Sequence, residues 1–349
     1  MLLNKRLRLG LAPAAGLMLL ACKSDPSGPS GGPVRLVNRV VFRNATPNGS
    51  DLFHVSVAGG EPVRLTTGGQ GNGCPSVSPD GITIVFTNAR LMAMDADGSN
   101  VRELAPELPR PEAYFPCASW SPDGTRLAVV RRISRVKSSG TSDLFVLKAD
   151  GSAVTRVASG DTFYQVKWAP SGDKILFGSS SYTDGGPYDF AFNVINADGS
   201  GLQRNPQRWS GADWSPDALR VAFVCGQGVV NSLCVSQPNG SAMATLTPLS
   251  MRVRDPDWAP IGNTIAFMCA PAGVPAGPLL PPICTVNGDG TGLRTIVSSG
   301  LVPVWSPDAT LIVYECASAL CAIKPDGSEN RTLVAFPGSN RDPSFSPTH

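Results

Sequence analysis

Apolar residues fall along the chain in short runs, some continuous and some alternating with polar positions, and each run is closed by glycine, proline, aspartate or asparagine. One stretch shows the pattern clearly: a run ending at Trp120 is followed by Leu127 to Val130, Leu144 to Leu147 and Val154 to Val157. Short apolar runs between turn residues predict β-strands, and no helical period persists long enough to predict a helix. The expected class is all-β, built from units of four strands.

The turns repeat with the runs. Val77-Ser-Pro-Asp-Gly81, Trp120-Ser-Pro-Asp-Gly124, Trp168-Ala-Pro-Ser-Gly172, Trp214-Ser-Pro-Asp-Ala218, Trp258-Ala-Pro-Ile-Gly262, Trp305-Ser-Pro-Asp-Ala309 and Phe345-Ser-Pro-Thr-His349 are copies of one phrase. Their prolines lie 43, 48, 46, 44, 47 and 40 residues apart, the period of four-stranded propeller blades. Proline presets the first corner of a type I turn, aspartate bonds the local backbone and glycine takes the left-handed position, so the phrase joins a first strand to a second. Ala218 and Ala309 stand where the glycine is expected, which leaves the geometry of those two turns open. A second family of turns, among them Lys148-Ala-Asp-Gly151 and Asn287-Gly-Asp-Gly290, joins third strands to fourth.

Neither end of the chain holds a whole blade. Arg39 to Phe42, Leu52 to Val57 and Val63 to Leu65 supply second, third and fourth strands, whereas Asp342 to Phe345 is a first strand without successors. Pairing them predicts a seven-bladed β-propeller whose ring is closed by the C-terminal inner strand, with six blades as the alternative. The repeats resemble the TolB-type propeller repeat family, whose WD-repeat-like modules carry Trp-Ser-Pro-Asp-Gly, a following apolar strand and a later Asp-Gly turn. That resemblance implies the fold for nearly all of the chain after its N-terminal segment. TolB itself is periplasmic, is usually six-bladed and binds a peptidoglycan-associated lipoprotein; a lipid anchor and a seventh blade depart from it, so that partner is not carried over.

The first residues read differently. Lys5, Arg6 and Arg8 precede an apolar run from Leu9 to Ala21, which ends in Leu19-Leu20-Ala21-Cys22. A run this short does not span a membrane, and the arrangement resembles a bacterial lipoprotein signal in which Cys22 is acylated. Residues 23 to 33 are almost entirely Ser, Gly, Pro and charge, the composition of a flexible tether. The expected organisation is a signal over 1–21, a lipidated tether over 22–33 and the propeller over 34–349.

Net charge is only +2, which gives no electrostatic case for nucleic acid, and the 37 glycines and 32 prolines suit a protein of many turns. The cysteines test the blade pattern. Cys225, Cys269 and Cys316 each lie 11 residues after Trp214, Trp258 and Trp305, while Cys234, Cys284 and Cys321 each lie 6 before Gly240, Gly290 and Gly327. Each blade concerned thus has a cysteine late in its second strand and another early in its third, predicting disulfides 225–234, 269–284 and 316–321. Cys74 and Cys117 occupy the same site in adjacent first strands and form the expected fourth pair; export makes all four reasonable. A metal site is not expected, because the cysteines are spread over five blades without the close pairs and histidines of a zinc centre.

If strands alternate up and down, both kinds of Asp-Gly turn lie on one face and the longer, variable loops lie on the other. Variable loops on a rigid scaffold are where binding surfaces are usually made. The longest are Arg131 to Thr141, Gly178 to Asp189, Ala270 to Pro282 and the connection Ala105 to Pro116. Arg131, Arg132, Arg135 and Lys137 are expected to form a basic loop suited to an anionic glycan, lipid head group or acidic protein. Tyr114, Phe115, Tyr182, Tyr188 and Phe190 are candidate aromatic anchors, the alternative being packing beneath their own loops. Lys167, Asp213 and Asp257 precede the repeated tryptophan and are expected at the channel wall, facing the axis or pairing with each other.

No catalyst stands out. The two histidines, His54 and His349, supply neither a Ser-His-Asp arrangement nor a metal cluster, no Gly-x-Ser-x-Gly elbow occurs, and the Asp-rich turns lack the remaining ligands of a calcium loop. The expected function is a monomeric, lipid-anchored scaffold of the cell envelope, without cofactor, that binds an envelope protein or glycan through its variable face. The alternative is a carbohydrate-active enzyme using channel carboxylates such as Asp213, Asp255, Asp257 and Asp342; clustering around an open cavity favours it and ion pairing counts against it.

Overall fold

The computed structural model describes residues 32–108, 113–135, 138–160, 162–181, 189–206, 211–227, 230–271, 280–335 and 337–346. The compact unit from Pro33 to His349 is a seven-bladed β-propeller of antiparallel sheets. Blade 1 contains the strands Gly73–Val77, Thr83–Thr87, Leu91–Asp95 and Arg102–Glu103. The next five blades begin with inner strands ending at Trp120, Trp168, Trp214, Trp258 and Trp305.

The seventh blade closes the ring. Its inner strand, Ser339–Phe345, pairs antiparallel with Arg39–Thr46, placing Val40 opposite Phe345 and Arg43 opposite Arg341. Arg39 N–H donates to Ser346 Oγ at 2.8 Å, and Ser346 N–H donates back to the Arg39 carbonyl at 2.9 Å. Apolar clusters lie between successive sheets: Val40, Phe42, Phe53 and Val55, for example, pack on Val313, Leu320 and Leu333 of the neighbouring blade. Each sheet is thus buried on both faces, which explains the continuous rather than alternating runs in many second strands.

The repeated turn is a small hydrogen-bonded unit. In Ser121-Pro-Asp-Gly124, Gly124 N–H donates to the Ser121 carbonyl at 2.9 Å. The Ser121 hydroxyl donates to Asp123 at 2.5 Å and accepts Arg126 N–H at 3.0 Å, while Asp123 accepts Thr125 N–H at 3.0 Å. These bonds, the Ser121 hydroxyl first, bring Asp123 down to about 2. Ala218 and Ala309 keep the turn by adopting left-handed φ values of 58° and 56°. That conformation costs an L-residue with a Cβ about 1–2 kcal/mol, partly offset in the unfolded state. Ala218→Gly and Ala309→Gly are each expected to stabilise the fold by about 0.5–1 kcal/mol in chemical denaturation; unchanged midpoints in both would contradict the strain.

A second local feature is absent from the sequence pattern as read above. Three residues before the end of the inner strand, Cys74, Asp255, Val302 and Asp342 have φ of 47°, 48°, 45° and 54°, and register with the second strand slips there. These are β-bulges, and Pro75, Pro256, Pro303 and Pro343 follow them directly.

Two expected loops are corrected. Arg131 to Thr141 is mostly strand, since Arg126–Arg135 and Ser138–Lys148 pair as far as Arg135 opposite Ser138. The connection Ala105 to Pro116 contains the short strand Ala113–Tyr114, paired to Arg132 and Ile133. The signal over 1–21, Cys22, the tether up to residue 31, Lys137, Tyr182, Tyr188 and His349 lie outside the described residues.

Candidate functional site

Alternation along each inner strand sorts its side chains between the blade interfaces and the central channel. The aromatic that ends the strand and the residue two before it turn into the packing, as with Trp214 and Ala212 or Trp258 and Pro256. The residue just before the aromatic therefore lines the channel, and Lys167, Asp213 and Asp257 hold that position in blades 3, 4 and 5.

These three meet. Lys167 Nζ lies 2.9 Å from Asp213 Oδ1 and 3.2 Å from Asp257 Oδ1, so its side chain reaches past blade 4 to blade 5. The second carboxylate oxygen of each aspartate binds the following blade: Trp258 N–H donates to Asp213 Oδ2 at 2.7 Å, and Trp305 N–H to Asp257 Oδ2 at 2.8 Å. Ser119 and Ser344 serve similarly, accepting the backbone N–H of Trp168 at 3.1 Å and of Val77 at 3.4 Å. A polar residue before the aromatic is thus an interblade latch, and the charged trio spans one sector of the channel. Burial pushes the Asp257 carboxyl up to about 6, with Lys167 opposing and the Asp213 charge adding to the rise. For Lys167, burial works against the charge but the two carboxylates outweigh it and hold the ammonium above its ordinary range.

The other channel carboxylates are mostly committed. Asp342 is paired with Arg43 Nε at 2.7 Å, and its N–H donates to the buried Glu315 at 3.2 Å. Burial raises Glu315. Asp255 makes no hydrogen bond or ion pair among the described residues, and burial raises it too. Arg43 and Glu315 escaped the sequence reading because both lie in second strands and meet Asp342 only at its inner-strand bulge.

At the variable end, Arg131 is buried against Asp143 in an ion pair, with Ser159 Oγ donating to the same carboxylate at 2.6 Å. Arg131 therefore holds a hairpin together and is corrected as a ligand contact. Arg132 sits 5.1 Å above the Tyr164 ring, whose hydroxyl is 2.5 Å from Ser180 Oγ, and Arg135 ends its strand. Phe115 packs in the core with Leu108 and Phe145 instead of serving as an exposed anchor. His54 is buried in the strand Gly49–Ser56, and burial, followed by the charge of Arg39, lowers it.

The four disulfides join the expected cysteines: 74–117, 225–234, 269–284 and 316–321. Within blades 4 to 6 the bridge is diagonal; Cys225 faces Ser232 and Phe223 faces Cys234, for example. Among the described residues no group of three or more His, Cys, Asp or Glu is arranged to hold a metal ion.

No protein-family model matches the chain. The Tol-Pal system protein TolB of Anaeromyxobacter dehalogenans (strain 2CP-C) is 27% identical over 163 residues, which are 46% of this chain and 36% of that protein. The match thus spans little more than a third of the length of such curated relatives. Among solved structures, TolB from Acinetobacter baumannii is similar with a TM-score of 0.55 and 14% identity, covering 89% of this chain and 83% of that one. Oligogalacturonate lyase in complex with manganese is similar with a TM-score of 0.62 and 14% identity, covering 80% of this chain and 82% of that one. The chain is therefore similar to TolB over part of its sequence, and it shares the propeller fold with proteins of different activities.

Proposed function

We propose that this chain is a cell-envelope lipoprotein whose propeller is a rigid scaffold for binding a protein or ligand through its variable face. Acylation at Cys22 would hold it at a membrane. Lys23 in place of an aspartate favours the outer one, and the partial similarity to TolB supports an envelope location. The observation carrying the reading is the stiffness of that face: three disulfides tie second to third strands near it, and the Arg131–Asp143 pair fixes the longest hairpin. Arg132, Arg135 and Lys137 remain the basic candidates. Pairing of Asp213 and Asp257 with Lys167, and of Asp342 with Arg43, counts against carbohydrate chemistry at the channel carboxylates.

The test is capture from envelope extract by the chain and by an Arg132→Glu/Arg135→Glu/Lys137→Glu variant, each with Cys22 intact or changed to alanine. One protein or glycan should be retained by the parent and lost by the triple variant, and Cys22→Ala should move the chain out of the membrane fraction. Identical capture by parent and triple variant, or membrane retention of Cys22→Ala, would sink the corresponding half of the proposal.

A further inference from the structure

The chain enters the propeller on the face opposite the variable loops, where first strands turn into second and third into fourth. In six blades a proline-centred turn makes the first of those connections. In blade 7 the strands Ser339–Phe345 and Arg39–Thr46 meet there without one, held by the two bonds between Arg39 and Ser346. Upstream, Leu36 N–H donates at 2.8 Å to the carbonyl of Gly81, in the blade 1 turn, and the Leu36 side chain is buried with Val77 and Ile84. The segment before Val34 therefore departs from this turn face.

The same face carries most of the uncovered aliphatic side chains. Of the ten large apolar residues exposed among the described ones, seven stand on it. Val63, Val101, Leu202, Met243 and Leu293 recur at one position, three residues after a hairpin glycine, and Leu219 and Ile261 stand in inner turns at 67% and 63% exposure. Scattered exposed aliphatics are ordinary; one position repeated around a rim is a surface pattern. The charges among them balance, with Lys174, Arg204, Arg220 and Arg294 beside Asp173, Asp198, Asp217 and Asp289 in blades 3 to 5. Such a surface selects neither an acidic nor a basic partner, and it suits a zwitterionic lipid interface.

We propose that the turn face rests on the lipid bilayer that holds Cys22, with its repeated aliphatics at the boundary of headgroups and acyl chains, so that the variable face is directed away from the membrane. The inference rests on the acylation of Cys22 proposed above. Chain length carries the orientation. Residues 23 to 33 span about 17–20 Å on average as a flexible coil and about 36–40 Å when fully extended. To lay the variable face on the bilayer, they would have to pass outward over two strands, about 10 Å, and then along blade strands of 7 or 8 residues, about 23–27 Å. That detour takes nearly the whole extended length, whereas the turn face needs none of it. A short tether also holds this face near the lipid at high effective concentration, so individually weak apolar contacts suffice.

The test is the rate at which a water-soluble maleimide labels single introduced cysteines, on the acylated full chain in phosphatidylcholine nanodiscs and on the Cys22→Ala chain free in solution. Leu202→Cys should label about tenfold or more slowly on the disc than in solution. Asn48→Cys, in the exposed turn between second and third strands of blade 7 on the variable face, should label equally in both. Adding Leu219→Glu/Ile261→Glu should restore the labelling of Leu202→Cys on the disc, and retained melting temperature checks that the fold is intact. Equal rates for Leu202→Cys on and off the disc, or slowing of Asn48→Cys instead, overturns the proposal. So does protection that survives the double variant, because proximity alone would then hide the residue. Slow labelling of Leu202→Cys already in solution overturns it in favour of a second copy covering the face. A chain whose mass shows no lipid at Cys22 sinks the anchored reading itself, and this orientation with it.

Discussion

Lys167→Met is expected to destabilise the propeller by about 2–4 kcal/mol at pH 7, because it leaves Asp213 and Asp257 facing each other in the channel without their shared cation. The lower part of that range allows for the Lys167 side chain being 27% exposed. The sign with pH is defined. In the parent, the Asp257 carboxyl stands at about 6, above its ordinary 3.8, so the folded state binds the proton more tightly than the unfolded one. The contribution of this group to stability therefore rises as pH falls from about 7 toward 4, by an amount on the order of 2–3 kcal/mol. Asp257→Asn keeps an acceptor for Trp305 N–H, removes the charge and should flatten that part of the profile. In Lys167→Met the gain on acidification should be larger still, since the Asp257 carboxyl then loses the cation that opposes its protonation. Guanidinium denaturation of the parent beside Asp257→Asn between pH 4 and 8 decides it, because the turn aspartates such as Asp123 act alike in both, and superimposable pH profiles would refute the channel electrostatics. The raised Lys167 acts at the other end, contributing stability below its unfolded value and losing it as pH rises through the folded one.

Removing the Cys74–Cys117 bridge by a double change to serine is expected to cost about 4 kcal/mol, against about 2 kcal/mol for Cys316–Cys321. The reason is the length of chain each bridge restrains when unfolded, 43 residues in one case and 5 in the other. Geometry adds to the contrast. Cys316–Cys321 ties together two strands that a short turn already joins, whereas Cys74–Cys117 joins the inner strands of blades 1 and 2 across an interface. Paired denaturation curves of the two double variants test this, and equal costs would show that loop length is not the controlling term. Cys74 sits at the inner-strand bulge with a φ of 47°, so its serine variant keeps the backbone demand and removes only the link.

The blade number, the order of strands within each blade, ring closure and the disulfide partners were all legible in the chain. Each depends on a local signal copied many times. Trp-Ser-Pro-Asp-Gly turns a chain wherever it occurs, because serine, aspartate and glycine bond one another within a few residues, and cysteines at fixed distances from those turns must fall at fixed places on adjacent strands. A weak match in one repeat, such as Trp258-Ala-Pro-Ile-Gly262, is corrected by its neighbours. The candidate site was legible only as a set of positions. Lys167, Asp213 and Asp257 could be placed on the channel wall, but pairing across 90 residues depends on the curvature of the closed ring. Arg131 looked like loop charge because the chain does not announce that its hairpin extends until Asp143 lies beside it.

What the sequence by itself determined is therefore the repeat and everything that follows from repetition: seven four-stranded units, their turns and their staples. Only the tertiary structure decided which charges cancel, where the inner strands bulge, and which aliphatic residues remain uncovered on the turn face. Those properties depend on distances between residues far apart in sequence and on solvent excluded by neighbouring blades, and neither quantity is carried by the local alternation of apolar and polar positions.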